Sequence, residues 1–359
     1  DDPAVQDALW FTLRYAAIVN DRLLIVDSDL GEVFLVDSDD RIVNRWGAGL
    51  LDDHYFYVVR GWQMLYGELP DRDFVDIGAP LTFALSAAAQ LVLGRGALSE
   101  ILMAVTLVSA AAALSFYAAA RASGSILAAL AAALFHIALG PRLYNYPKVF
   151  VYAVAILVAW RLLDRPSWPV RCLAAAITVI AFLLRHDHGV FVGVLVVGTW
   201  LFGSASRQQK AREILVYAGL VLLFVSPYLV YLAVNGGIVT HFVTANAWSM
   251  RDRGRAPLVW PGFVGSPLAV APWSYVSANF TTWTFYLLVL LPFVSAALLA
   301  WSHDAWRGSW PNARAKLAGV ALLALVLNAG FLRGSLAARL ADVIVPHTVL
   351  IAWLLATSI

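Results

Sequence analysis

Ala79-Pro-Leu-Thr-Phe-Ala-Leu-Ser-Ala-Ala-Ala-Gln-Leu-Val-Leu93 is the stretch on which the fold turns. It is an apolar block of 15 residues with Pro80 at its start, bracketed by Gly78 and Gly94. A helix needs ~20 residues to cross the ~30 Å hydrocarbon core of a bilayer. This block therefore reads as a juxtamembrane or re-entrant helix rather than a crossing. Further apolar blocks read as spanning helices, at roughly 97–119, 125–140, 149–163, 172–184, 189–203, 214–233, 283–301, 317–332 and 343–359. Composition agrees: 61% of the 359 residues are apolar, 13% are charged, and the mean hydropathy is +0.75. Soluble domains are about one quarter charged. Long apolar runs without strict alternation satisfy their backbone as helices, not as barrel strands. The expected fold class is an all-α polytopic membrane protein with about nine or more transmembrane helices.

Residues 1–48 differ from the rest. Leu24-Ile-Val-Asp-Ser-Asp29 and Phe34-Leu-Val-Asp-Ser-Asp39 form a near-repeat at a spacing of ten. Short apolar runs broken by Asp, Ser and Gly read as a β-meander with tight turns, in which aspartate is a routine turn residue. The expected division is a short β-like or amphipathic segment over 1–48 and a multi-span domain over 49–359. The chain starts at Asp1 without methionine and stops inside an apolar block at Ile359, so both ends read as cut. The lone cysteine, Cys172, begins a span and reads as a small apolar filler. No long basic tract marks nucleic acid as a partner.

With 79–93 outside the crossing set, five polar segments fall on one face. They are the acidic loop 52–76, the loop around Arg142–Lys148, the cluster Arg185–His188, the loop 234–282 and the stretch Arg333–His347. Arg121, Arg161–Arg171, Arg207–Arg212 and Asp304–Lys316 fall on the other. From residue 52 onward the first face holds eleven Lys/Arg and ten acids, the second ten Lys/Arg and three acids. The net basic second face reads as cytoplasmic. The mixed first face reads as a site.

Asp52 and Asp53 open an aromatic-rich amphipathic stretch that ends in Gly67-Glu-Leu-Pro-Asp-Arg-Asp-Phe-Val-Asp-Ile-Gly-Ala-Pro-Leu81. Paired carboxylates at a membrane surface can act as a general base or hold a divalent cation. Aspartate is also a favoured helix N-cap, and both roles are compatible. This loop resembles the first outer loop of the GT-C superfamily of membrane glycosyltransferases. The closest likeness is to the bacterial branch related to protein O-mannosyltransferases and lipid A aminoarabinose transferases. The resemblance runs over roughly residues 50–350, with the first loop as its specific part, and a Pro-containing short helix after that loop matches Pro80.

The resemblance implies a polyprenyl-phosphate-linked sugar as donor, an acceptor hydroxyl on a glycan, lipid or protein, and Asp52 or Asp53 as the essential acid. It also implies a bacterial inner membrane with the active site on its outer face. Two departures are present. The span expected before the acids is replaced by the β-like segment. The second outer loop, Gly140-Pro-Arg-Leu-Tyr-Asn-Tyr-Pro-Lys148, carries no acid. That points to a metal-independent mechanism, or to one recruiting Asp73 or Asp76, and leaves a divalent metal open.

Arg142, Tyr144 and Lys148 suit an anion, since guanidinium grips phosphate by its fork and ammonium as a point charge. Snorkelling to headgroups explains the same residues. Arg185-His-Asp-His188 sits between two apolar runs, where charge is costly unless it faces a site or the interface. By resemblance Arg185 lies near the lipid phosphate, with His186 and His188 beside it. A metal site of this tetrapeptide is disfavoured, because adjacent residues of a helix point apart. Arg251, Arg253 and Arg255, with Trp248, Trp260 and Trp273, read as phosphate contacts or interface anchors. Arg333, Arg339 and His347 form a last basic set. The competing function is a transporter or flippase for a lipid-linked or anionic solute. It would show repeated halves, and none is visible.

Overall fold

The structure is a computed structural model, and it describes residues 13–19, 22–27, 32–36, 42–46, 52–140, 143–253, 260–265, 272–301, 311–333 and 339–357. Strands β1 (Leu13–Val19), β2 (Arg22–Asp27), β3 (Glu32–Val36) and β4 (Ile42–Trp46) precede the helices. The helices are α1 (Asp52–Leu65), α2 (Pro80–Leu93), α3 (Ala97–Ser123), α4 (Ile126–Ala138), α5 (Tyr146–Asp164), α6 (Trp168–Leu184), α7 (His186–Leu201), α8 (Arg207–Val234), α9 (Ile238–Arg253), α10 (Pro272–Ala278), α11 (Phe280–Trp301), α12 (Ala313–Asn328) and α13 (Ile344–Thr357). Two compact units result: Asp1–Val75 with Pro80–Val105, and Asp76–Ala79 with Thr106–Ile359.

In the first unit the strands pair in sequence order as an antiparallel meander. Asp27 stands opposite Glu32 and Leu23 opposite Val36 across the β2–β3 hairpin. Helices α1 and α2 pack through aromatic rings. Phe83 meets Phe56 edge-on at 5.4 Å and Phe74 at 6.0 Å, and the Arg60 guanidinium lies 4.5 Å from the centre of the Phe74 ring. Gly61 allows this approach, because a Cβ there would stand 2.9 Å from the backbone nitrogen of Ala87. At the same crossing, Gln90 Nε2 donates to the Val58 carbonyl at 3.1 Å.

The second unit is a helical bundle. The face of α5 is buried almost along its whole length, from Tyr146 to Leu162. Helices α7 and α12 cross at glycines: a Cβ on Gly198 would collide with the Leu322 side chain, and one on Gly319 with the Thr199 hydroxyl. Small residues at such crossings let backbones approach where lipid offers no hydrophobic drive. Ala119, Ala129, Ala132 and Ala352 form a further close-packed seam. At one end of the bundle, Lys316 pairs with Asp164 at 2.6 Å, and Arg171 grips Glu213 through two nitrogens at 2.8 and 2.7 Å. The opposite end holds the site.

Among the described residues, five helical segments are long and apolar enough to cross a membrane: Ala97–Ser123, Tyr146–Asp164, Arg207–Val234, Phe280–Trp301 and Ala313–Phe331. Their outward residues are large and apolar, among them Leu215, Leu222 and Val230 on α8 and Leu287, Leu290 and Phe293 on α11. Such surfaces are at home in lipid and not in water. The chain is a helical integral membrane protein. Helix α2 has 14 residues; at 1.5 Å per residue it spans about 21 Å, short of the hydrocarbon core.

Candidate functional site

Three chain segments bring polar side chains to one end of the second unit. The first is the start of α5. Pro147 occupies a first-turn position where its missing N–H is harmless, and Lys148 follows on the buried face. The second is the junction of α6 and α7. Arg185 adopts an extended conformation, φ −171° and ψ 133°, and so ends one helix and starts the next. Asp187 then falls in the first turn of α7, where a negative charge complements the helix dipole. The third is the 3-10 turn Ala341–Val343 that leads into α13.

These segments enclose a cavity of about 60 Å³, lined by Lys148, Tyr152, Arg185, Asp187, His188 and Phe191, by Arg339 and Asp342, and by the end of α12 around Leu327–Gly330. Asp342 organises one wall. Its Oδ2 pairs with Lys148 Nζ at 2.7 Å and its Oδ1 accepts from Asn145 Nδ2 at 2.5 Å, while Arg339 Nη1 approaches Oδ2 at 3.3 Å. Another part of the lining is a chain of contacts. Arg185 Nη2 pairs with Asp187 Oδ2 at 2.7 Å, and Asp187 Oδ1 lies 3.4 Å from His188 Nδ1. The Tyr152 hydroxyl is 2.8 Å from the same His188 nitrogen, and the two rings meet edge-on. Lys148 and His188 are nearly buried, whereas Arg185 is more exposed. The arrangement offers several cationic donors around a small space, which is what recognition of a phosphate-sized anion requires.

His186 turns elsewhere. Residues two apart on a helix differ by about 200°, so His186 and His188 cannot share a ligand on one face. The His186 ring stacks on Phe182 at 4.5 Å and meets His241 edge-on at 5.0 Å. The Tyr228 hydroxyl bridges the two imidazoles, 3.5 Å from His186 Nε2 and 3.3 Å from His241 Nε2. The end of the acidic loop reaches the same place. His186 donates its backbone N–H to the Gly78 carbonyl at 3.2 Å. Gly78 has φ +93°, and a Cβ on it would strike the His186 ring at 2.8 Å. Asp76 shapes this turn, its Oδ1 accepting the N–H groups of Gly78 and Ala79 at 2.8 Å each. Residues 76–79 thus lie at the same end of the bundle as Arg185 and Lys148.

Asp73 is exposed and closes a turn in its own loop. Its Oδ2 accepts from Arg72 Nε at 2.7 Å and from the Leu69 N–H at 2.8 Å. The Arg72 hydrogen bond foremost, and the Leu69 N–H after it, hold its carboxyl below the usual carboxylate range. His347 is interior: its ring nitrogens lie 2.7 Å from the Val343 carbonyl and 2.9 Å from that of Leu288, tying α13 to α11. Asp52 and Asp53 form the first turn of α1, Arg251 belongs to α9, Tyr144 to the 3-10 turn Leu143–Asn145, and Arg333 to the 3-10 turn Ala329–Arg333. The side chains of these five, together with the whole of Arg142, lie outside the described residues.

Of the residues singled out from sequence, Lys148, Arg185, His188 and Arg339 meet at one cavity. Asp342, Tyr152 and Asn145 were missed. Asp342 carried a signal, as a single acid set between Leu340-Ala341 and Val343-Ile344, because an ionisable residue at membrane depth marks a site by default. Tyr152 carried only its position one turn beyond Lys148 on the same helix face. No family model, curated protein or solved structure matches the chain. None of these comparisons identifies a relationship to the GT-C superfamily.

Proposed function

We propose that this protein is a membrane glycosyltransferase that moves a sugar from a polyprenyl-phosphate donor to an acceptor hydroxyl, on the outer face of a bacterial inner membrane. In this reading nine or more helices cross the bilayer, with the helices shorter than 18 residues completing the set. The observation that carries the proposal is the meeting of Lys148, Arg185 and Arg339, from three separate chain segments, around one cavity. The cavity suits a phosphate group, and the sugar and lipid tail of such a donor extend beyond it.

The chemistry follows from charge. The donor enters laterally from the membrane, and Lys148 and Arg185 neutralise its phosphate, which makes that phosphate a better leaving group. Asp52 or Asp53 takes the proton of the acceptor hydroxyl, whose oxygen attacks the anomeric carbon from the side opposite the phosphate. The new C–O bond forms as the old one breaks, the electron pair leaves with the phosphate oxygen, and the anomeric centre inverts. Arg142, Tyr144, Arg251 and Arg333 are assigned to the lipid phosphate or its surroundings, and Asp73 and Asp76 are the secondary acids.

A transporter would carry charge at midspan, lining a path. Here the ionisable groups stand at helix ends, Lys148 in the first turn of α5 and Asp187 and His188 in that of α7, which favours an enzyme. The test is sugar transfer from a lipid-linked donor in detergent with Asp52→Asn and Asp53→Asn. Loss of transfer in at least one variant is expected, and wild-type rates in both would end the assignment. Solute uptake into proteoliposomes would point to the transporter instead.

A further inference from the structure

The cavity assigned to the lipid phosphate carries a nearly balanced set of charges. Among the described residues its walls present three cations, Lys148, Arg185 and Arg339, and two carboxylates, Asp187 and Asp342. With His188 set aside, a single positive charge is left over. Asp342 is the residue that sets this balance. It is 8% exposed, bonded to Lys148 and Asn145, and within 3.3 Å of Arg339. Removing its charge alone would double the cavity's surplus.

A carboxylate on the wall of an anion site repels every anion, and the repulsion grows with the charge of the ligand. The donor and the spent carrier of the proposed reaction differ in this respect. A sugar joined to a lipid through phosphate is a phosphodiester with one negative charge. Once the sugar has left, the carrier is a phosphomonoester, whose second ionisation falls near pH 6, so that it carries roughly −1.5 to −2 at neutral pH. Charge at the site rises as the acceptor proton departs by way of the catalytic carboxylate to water. Against the charges of the described walls the monoester leaves one unit of negative charge unmatched, and because the cost of stripping water from an ion grows with the square of its charge, the diester is the better match.

We propose that Asp342 makes the cavity selective for the phosphodiester monoanion over the phosphomonoester dianion, so that donor is held and spent lipid phosphate is expelled. The inference rests on the lipid-phosphate reading above and adds to it a residue that determines specificity. It also gives the buried Lys148–Asp342 pair a role beyond packing: Asp342 positions the ammonium and at the same time caps the charge that the cavity can neutralise.

The experiment is titration calorimetry on the full chain in detergent at pH 8 and fixed salt, with methyl decyl phosphate as the diester and decyl phosphate as the monoester. Wild type is expected to bind the diester at least as tightly as the monoester. Because repulsion of a dianion is twice that of a monoanion, Asp342→Asn should tighten the diester about threefold and the monoester about tenfold, one factor being the square of the other. Arg339→Gln, at a more exposed position, should act in reverse and weaken the monoester more than the diester. Where Asp342→Asn does not fold, the wild-type preference between the two ligands decides the matter. Asp342→Glu should keep the wild-type preference. A wild type that prefers the monoester, or variants that change both ligands by one factor, overturns the role of Asp342 and leaves the lipid-phosphate reading standing. Binding of neither ligand by wild type overturns the lipid-phosphate reading and the inference with it.

Discussion

Replacing Lys148 by methionine removes one half of a buried ion pair and leaves Asp342 facing a weaker set of partners. Breaking such a pair from one side costs ~3–5 kcal/mol when the surviving charge has no other support. Here Asn145 remains at 2.5 Å and Arg339 at 3.3 Å, and the pair borders a cavity, so the cost falls to about 2 kcal/mol. Removing both charges, as Lys148→Met with Asp342→Leu, takes the acceptor from the Asn145 amide but leaves neither half of the ion pair buried alone, and should cost less than the sum of the two single changes by about 1.5 kcal/mol, within the range expected of contacting residues. Thermal unfolding in detergent reads this out. The chain has one cysteine, Cys172, so a thiol-reactive dye reports unfolding from a single position, at one fixed scan rate because unfolding of such proteins is often irreversible. With roughly 2 °C per kcal/mol for a large chain, Lys148→Met should lower Tm by about 4 °C and the double variant should recover part of that loss. Additivity of the single changes within about 0.5 kcal/mol would refute the pairing and the cavity built on it.

Other outcomes follow from local geometry. Gly319→Ala places a methyl group against the Thr199 hydroxyl at the α7–α12 crossing. It should cost about 1–3 kcal/mol by overpacking, and the added change Thr199→Ala should restore most of the lost Tm. Asp73 has its carboxyl depressed by Arg72 and the Leu69 N–H, so its turn is closed above the ordinary carboxylate range and opens as pH falls through the lowered value. Hydrogen exchange of residues 66–75 should show protection lost on acidification, with the loss beginning at higher pH in Arg72→Gln. An unchanged onset would mean that Arg72 is not what holds the turn.

Hydropathy made the helices legible and left their polar ends obscure. The block read at 172–184 begins at Trp168, because Pro169 is accepted in a helix's first turn and Arg171 is held by Glu213 on α8. The block read at 189–203 begins at His186, because the chain breaks at a single extended residue, Arg185, and the polar tetrapeptide is not a loop. Segments with few charges and strong apolar character announce themselves locally. The Lys148–Asp342 pair does not, since its members lie 194 residues apart and neither residue's neighbourhood in sequence names the other. The same holds for Gly198 and Gly319, which read as ordinary glycines until the crossing brings Leu322 and Thr199 against them. His186 and His188 look alike in sequence, and only helical phase sends one to the aromatic cluster and the other to the cavity.

The account depends on the acidic loop and the cationic cavity sharing one face of the membrane, and sidedness of single cysteines measures this directly. In a Cys172→Ala background, Val75→Cys reports the acidic loop, Thr240→Cys the cavity end of the bundle and Gln208→Cys the opposite end, all at exposed positions. A membrane-impermeant maleimide added to intact cells should label positions 75 and 240 and reach 208 only after permeabilisation. Labelling of 75 and 208 from one side, with 240 from the other, would contradict the account, because helix α2 would then cross and the acids would be parted from the phosphate site.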